Sequence, residues 1–255
     1  MKRVITALLL APAVLYVVLW GHVWVFFGVV ALVAALCYRE YCEVAAGYGV
    51  SVSRIFGLVA GLLVLAVTPE AGLLLTVITL FALCLALATQ DLRQSLPQAS
   101  FLVLGVVYIF GAWKCAILLR VNSPYWLLYV LALNWIGDTF AYYVGRWIGR
   151  HKLAPRISPG KSWEGAAASM ASSLLFGVPF LGYFFPSIPA WVAVALTVGV
   201  NITGQIGDLA ESALKRGAGI KDSGSMLPGH GGLLDRVDGT LFSLPAVYLF
   251  LLRWH

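Results

Sequence analysis

The chain has 255 residues, of which 61% are hydrophobic and 11% charged, and its formal net charge is +6. A soluble domain carries about 25% charged residues, so a polar surface this sparse excludes a soluble fold of such length. The basic residues stand between long apolar runs, which reads them as determinants of membrane topology rather than as a nucleic-acid surface.

Runs of roughly 17 to 25 apolar residues are long enough to cross a bilayer as helices. Nine such segments follow one another, at approximately 4–20, 22–38, 54–69, 71–88, 98–119, 124–145, 164–185, 188–207 and 237–253. The expected fold is therefore all-α, a polytopic membrane protein with about nine transmembrane helices. The opening Met1-Lys2-Arg3, with Ala11-Pro12-Ala13 further on, has the flavour of a signal peptide. Its apolar run continues through Val17 and Val18 to Trp20, which reads it as a retained first span. The best break lies near Asn122-Ser123-Pro124. It divides an N-terminal transmembrane bundle, 1–122, from a catalytic half, 123–255, that carries the polar loops. Cys37, Cys42, Cys84 and Cys115 lie in or beside apolar runs and form no CxxC pair, so they are expected to pack rather than to bind metal or bridge.

Nine spans fix an orientation. With the N-terminus in the cytoplasm, the loops on that side hold fourteen Lys and Arg residues, from Lys2 and Arg3 to Lys221 and Arg236. The opposite side holds only Arg120 and Arg253, while Lys114 falls inside a span. This asymmetry follows the positive-inside rule. The two long polar loops, about 146–163 and 208–236, then face the cytoplasm, where nucleotides are found. An integral protein of a bacterial cytoplasmic (inner) membrane is expected, with its active site on the cytoplasmic side.

Seven of the eleven acidic residues lie in the second half. Carboxylates in or beside apolar spans are expensive and point to function. Asn134, Asp138 and Tyr142 recur every four residues and share a helix face. Two readings fit that stripe: an interhelical hydrogen-bond clasp, or a substrate or ion site. Next comes Ser158-Pro159-Gly160-Lys161-Ser162-Trp163-Glu164-Gly165. Gly160-Lys161-Ser162 has the tail of a P-loop, but Pro155 stands where the pattern needs glycine, which rules that motif out. The remaining expectation is a flexible turn leading into a helix, with Lys161 either a phosphate-binding charge or a topological one.

The third stretch is the richest. Asp208, Glu211, Ser212 and Lys215 fall on one helical face, followed by Arg216, Lys221 and Asp222. Then comes Pro228-Gly229-His230-Gly231-Gly232-Leu233-Leu234-Asp235-Arg236-Val237-Asp238, with Asp235 and Asp238 three apart at the start of the last span. Such carboxylates suit a hard divalent cation, since Mg²⁺ takes one or two protein carboxylates plus substrate phosphates. Lys215, Arg216, Lys221 and Arg236 suit a triphosphate. His230 fits a catalytic base and a structural turn residue about equally, and without a second histidine nearby a zinc site is not expected.

At this stretch the sequence resembles the phosphatidate cytidylyltransferase family. The family pattern runs Ser-x-apolar-Lys-Arg, four residues, Lys-Asp, then a small residue, and on to Pro-x-His-Gly-Gly-apolar-x-Asp-Arg-apolar-Asp. Ser212 to Asp238 follows it without departure. The stretches Asn134–Tyr142 and Ser158–Gly165 are also similar to family segments, although Gly160 stands where many members have Lys. The first half matches only as a set of apolar spans. The resemblance implies transfer of CMP from CTP to phosphatidate, with release of pyrophosphate, by a membrane-embedded homodimer. It implies Mg²⁺, with K⁺ as a second cation. Carried onto this chain, Asp208, Asp235 and Asp238 would be the metal carboxylates and also catalytic, together with Ser212 and Lys215. Asn134, Asp138, Lys161, Arg216, Lys221, His230 and Arg236 would bind substrate. A transporter using Asp138 and Asp208 as an ion path is the rival of a different class. A related transferase acting on an ether lipid is the nearer one.

Overall fold

A computed structural model of the chain describes residues 2–67, 71–87, 89, 91–226 and 231–254. Among these, ten α-helices carry nearly all the regular structure. They are α1 (Lys2–Leu19), α2 (Val23–Gly47), α3 (Arg54–Ala66), α4 (Ala71–Ala86), α5 (Ser95–Gly105), α6 (Ala112–Asn122), α7 (Pro124–Ile148), α8 (Trp163–Phe184), α9 (Ala190–Gly217) and α10 (Leu234–Trp254). A π-helical turn, Val106–Gly111, joins α5 to α6. Among the described residues, the nine predicted segments fall largely on helix.

Among the described residues, five helical stretches, against about nine expected, are long and apolar enough to cross a membrane: Val23–Gly47, the continuous run Leu92–Asn122, Pro124–Ile148, Trp163–Phe184 and Ala190–Gly217. α3 is shorter, with 13 residues, or about 20 Å of helix against a hydrocarbon core of about 30 Å. Apolar side chains such as Leu32, Ile55, Leu80 and Leu175 stand exposed on the helix surfaces, as lipid-facing residues do.

Helix ends explain several isolated polar residues. Ser123 caps α7 by accepting from the Tyr125 N–H, with Pro124 at the first helical position. Ser162 caps α8 in the same way through the Gly165 N–H, at 3.1 Å. Lys114, read from sequence as a charge inside a span, donates to the Leu65 and Val67 carbonyls at 2.7 and 2.9 Å, closing the end of α3. The Arg120 Nε donates to the Val18 carbonyl at 2.9 Å, at the end of α1. Both cations satisfy carbonyls left open at a helix C-terminus, where the macrodipole also favours positive charge.

The structure alters two expectations. α2 and α9 run past the predicted span ends, to Gly47 and Gly217, so polar residues expected in loops ride on helices. And Ser158–Ser162 is not a flexible turn. It is a strand, β2, paired antiparallel with β1 (Lys152–Ala154), with Lys152 opposite Ser162. Pro155, Pro159 and Gly160 hid the strand from a propensity reading, and cross-strand pairing overrode them.

The chain forms two compact units. The first comprises residues up to Leu10, His22–Ile117 and Leu214–Arg236; the second comprises Ala11–Gly21, Leu118–Ala213 and Val237–His255. In the first, Tyr38, Tyr41 and Phe110 pack as an aromatic cluster. A Cβ on Gly105 would come within 2.5 Å of the Tyr41 ring. In the second, α7 packs along α8. Close approach of α9 to α10 depends on Gly207, where a Cβ would stand 2.8 Å from the Asp238 carbonyl oxygen.

Candidate active site

The first unit holds a polar cluster around Asp235, in the first turn of α10. The buried Lys215 side chain, in the last turn of α9, donates its Nζ to Asp235 Oδ1 at 2.5 Å. The Ser223 N–H reaches both carboxylate oxygens at 3.1 Å, and the Gly232 N–H donates to Oδ2 at 2.8 Å. Burial alone would raise the Asp235 pKa. The Lys215 ammonium and the two backbone donors outweigh it and hold the carboxyl below its ordinary value. Gly231 sits at φ +79° beside this carboxylate, and a Cβ there would come within 2.8 Å of Asp235 Oδ2, a double reason for glycine.

The cluster extends to a residue the sequence analysis passed over. Glu40 of α2 is 2% exposed. Its Oε1 accepts from the Leu233 N–H at 3.0 Å, and its Oε2 from the Leu234 N–H at 2.8 Å and the Ser223 Oγ at 3.2 Å. Its signal in the sequence was weak, because Glu40 stands between Arg39 and Glu43 near the end of an apolar run and reads with them as an ordinary charged helix end.

In the second unit, Lys161 Nζ pairs with Asp208 Oδ2 at 2.5 Å, both side chains about a third exposed. The hairpin thus delivers Lys161 to the α9 carboxylate. Ser212, one turn on, donates its Oγ to Asp208 Oδ1 at 3.4 Å. Asp238 is buried and accepts from the Gly239 N–H at 2.8 Å. The like charges that act on it are those of Asp208, Glu211 and Asp138.

Asn134 and Asp138 border a small open recess, whose other polar lining is Ser169, Asn201 and Gln205. Asn201 donates to Ser169 and Ser173 at 2.9 and 2.8 Å and accepts from Gln205 at 2.6 Å. Gly137 keeps the recess open, since a Cβ there would stand 2.7 Å from Ser169 Oγ. Tyr142 continues the stripe along α7 beyond the recess: it is exposed, and its hydroxyl accepts from Arg146 at 2.9 Å. Arg216, Lys221 and Arg236 are exposed, and Arg216 donates to the Ile220 carbonyl at 3.2 Å. His230, with Pro228 and Gly229, lies outside the described residues.

Among the described residues, no three His, Cys, Asp or Glu side chains converge as a ready metal cage. The donor chemistry still fits Mg²⁺, which binds through one or two carboxylates and completes its shell with water and phosphate oxygens.

The sequence profile of the cytidylyltransferase family matches residues 1–254. This chain belongs to that family. A phosphatidate cytidylyltransferase of Brucella abortus biovar 1 (strain 9-941) is 36% identical over 257 residues, 97% of this chain and 92% of the relative. The phosphatidate cytidylyltransferase of Staphylococcus haemolyticus is 38% identical over 161 residues, and the match spans 63% of this chain and 62% of that relative. That of Staphylococcus aureus (strain COL) is 37% identical over the same length.

Proposed function

We propose that this chain transfers CMP from CTP to phosphatidate, forming CDP-diacylglycerol and pyrophosphate for phospholipid synthesis. The observation that carries the reading is the stretch Ser212–Asp238, which follows the family pattern and contains the paired Lys215 and Asp235. A phosphatidate oxygen attacks the α-phosphorus of CTP in line. A new P–O bond forms, the bond from the α-phosphorus to the bridging oxygen breaks, and pyrophosphate leaves with that electron pair. A phosphate monoester is mostly dianionic at neutral pH, with a second pKa near 6, so the attack needs little help from a base. The harder task is to bring two anions together. Lys161 and Lys215, already opposite carboxylates, would hold phosphate oxygens, assisted by the exposed Arg216, Lys221 and Arg236. Asn134 and Asp138 would line the deep end of the substrate cavity. His230 would lie at the phosphate end.

Asp208, Asp235 and Asp238 would hold Mg²⁺, with K⁺ as a second cation. A bound Mg²⁺ neutralises charge on the reacting phosphates and on the leaving pyrophosphate. The chemistry belongs to the half 123–255, in a homodimer embedded in the bacterial cytoplasmic membrane. Nine spans with the N-terminus inside put the loops at 146–163 and 208–236 in the cytoplasm, and the basic-residue asymmetry supports this. A reporter fused after residue 255 is then active only outside the cytoplasm; a cytoplasmic signal overturns the topology.

The deciding assay uses detergent-purified protein with CTP, phosphatidate and Mg²⁺, reading lipid product and pyrophosphate together. Equal release of both, abolished by chelation, is the expected result. Pyrophosphate without CDP-diacylglycerol moves the acceptor to an ether lipid. Neither product from folded protein favours the transporter.

A further inference from the structure

We propose that Glu40, on the second helix, is a positioning residue for the reaction: it holds Ser223 and the start of the last helix, at Leu233 and Leu234, and thereby fixes Asp235 and its partner Lys215. The inference rests on the transferase reading for its catalytic consequence, but its structural part stands on geometry alone.

A helix start leaves its first N–H groups without intrahelical partners. At the start of α10 the Leu233 and Leu234 donors are met by a carboxylate from α2, nearly two hundred residues away in the chain, at 3.0 and 2.8 Å. An acidic charge there also complements the helix dipole. The same carboxylate accepts the Ser223 hydroxyl, and the Ser223 N–H in turn binds both oxygens of Asp235. A continuous relay therefore runs from Glu40 through Ser223 to Asp235 and Lys215.

The backbone is shaped to this carboxylate. A Cβ at Gly224 would stand 2.7 Å from Glu40 Oε1, and one at Gly232 would stand 2.6 Å from Oε2. Two glycines of the polar loop thus admit a side chain from the N-terminal part. An ordinary surface cap does not need that accommodation, nor a carboxylate 2% exposed. The N-terminal helices accordingly do more than embed the protein, because one of them determines where Asp235 points.

The test compares Glu40→Gln and Glu40→Ala with the parent in detergent, after confirming folding by gel filtration and thermal unfolding. The first readout is hydrogen–deuterium exchange without substrates. Exchange across 220–236 is expected to quicken on the order of tenfold, the scale of losing one helix cap, with α7 and α8 unchanged. The second is steady-state kinetics per folded molecule. kcat is expected to fall about 10- to 100-fold, the usual effect of removing a group that orients a reacting residue, with a smaller rise in KM for CTP. Glu40→Gln should retain more activity than Glu40→Ala, since its amide oxygen still accepts one N–H. Unchanged exchange in 220–236, or unchanged kcat in a folded variant, overturns the proposal. If neither variant folds, Ser223→Ala removes one donor to Glu40 and is judged by the same two readouts. An inactive parent would defeat the transferase reading, while the exchange result would still decide the role of Glu40.

Discussion

Replacing Asp235 by Asn is expected to abolish turnover, by at least about 100-fold, and to loosen the loop that precedes α10. The carboxylate accepts three donors, from Lys215, Ser223 and Gly232. An amide keeps one acceptor oxygen and presents two N–H bonds in place of the other. One of the three donors loses its partner and another meets a donor head-on. A buried group left unsatisfied costs about 1–3 kcal/mol, and Lys215, 8% exposed, is left with a weaker counter-charge. The destabilisation should show as a lower unfolding temperature in detergent. Activity should be lost beyond what that instability explains, measured per folded molecule at a temperature where parent and variant are both native. A folded variant with near-parental turnover would remove Asp235 from the chemistry.

The pairing of Asp235 with Lys215 was half legible in the sequence. Both residues stood out, Lys215 as a nucleotide ligand and Asp235 as a metal ligand, because helical spacing shows which residues share a face within one segment. It says nothing of a bond between segments twenty residues apart. The same limit hid Lys161 and Asp208, whose pairing depends on a hairpin that proline and glycine disguised. Glu40 was lost for a stronger reason. Its partners are backbone N–H groups near residue 233, and no side-chain pattern announces a backbone donor. The helical character of the apolar segments was legible because the bilayer imposes one hydrogen-bonding rule on all of them, while five of the described stretches reach the length and apolarity of a span. Helix ends were read poorly because caps such as Lys114 on the Leu65 carbonyl are tertiary contacts.

These polar contacts share a logic that bears on the chemistry. Asp208 and Asp235 are each bonded to a lysine, one in each unit. Substrate phosphates would compete with the carboxylates for those lysines, and a cation would compete with the lysines for the carboxylates. Within each unit, lysine and carboxylate thus meet each other's charge before any substrate binds.

Asp238 is the exception, and the sharpest test follows from it. It is 9% exposed, its one identified donor is the Gly239 N–H, and Asp208, Glu211 and Asp138 all act on it with like charge. Replacing it by Asn keeps the shape and the oxygen that accepts from Gly239 while exchanging an ionisable carboxyl for a neutral amide at a buried position. The substrate-free variant is therefore expected to be more stable than the parent. A gain of about 1 kcal/mol corresponds to a rise in unfolding temperature of roughly 2–4 °C for a chain of this size. Turnover is expected to fall at least about 100-fold in the same protein. Mg²⁺ separates the causes: it should raise the unfolding temperature of the parent by relieving the repulsion, and should raise that of the variant much less. A variant that is less stable than the parent, with an undiminished response to Mg²⁺, would show that Asp238 serves the fold and not the cation. The expected combination, higher stability with lost activity, is what a residue retained for chemistry at the expense of packing should give.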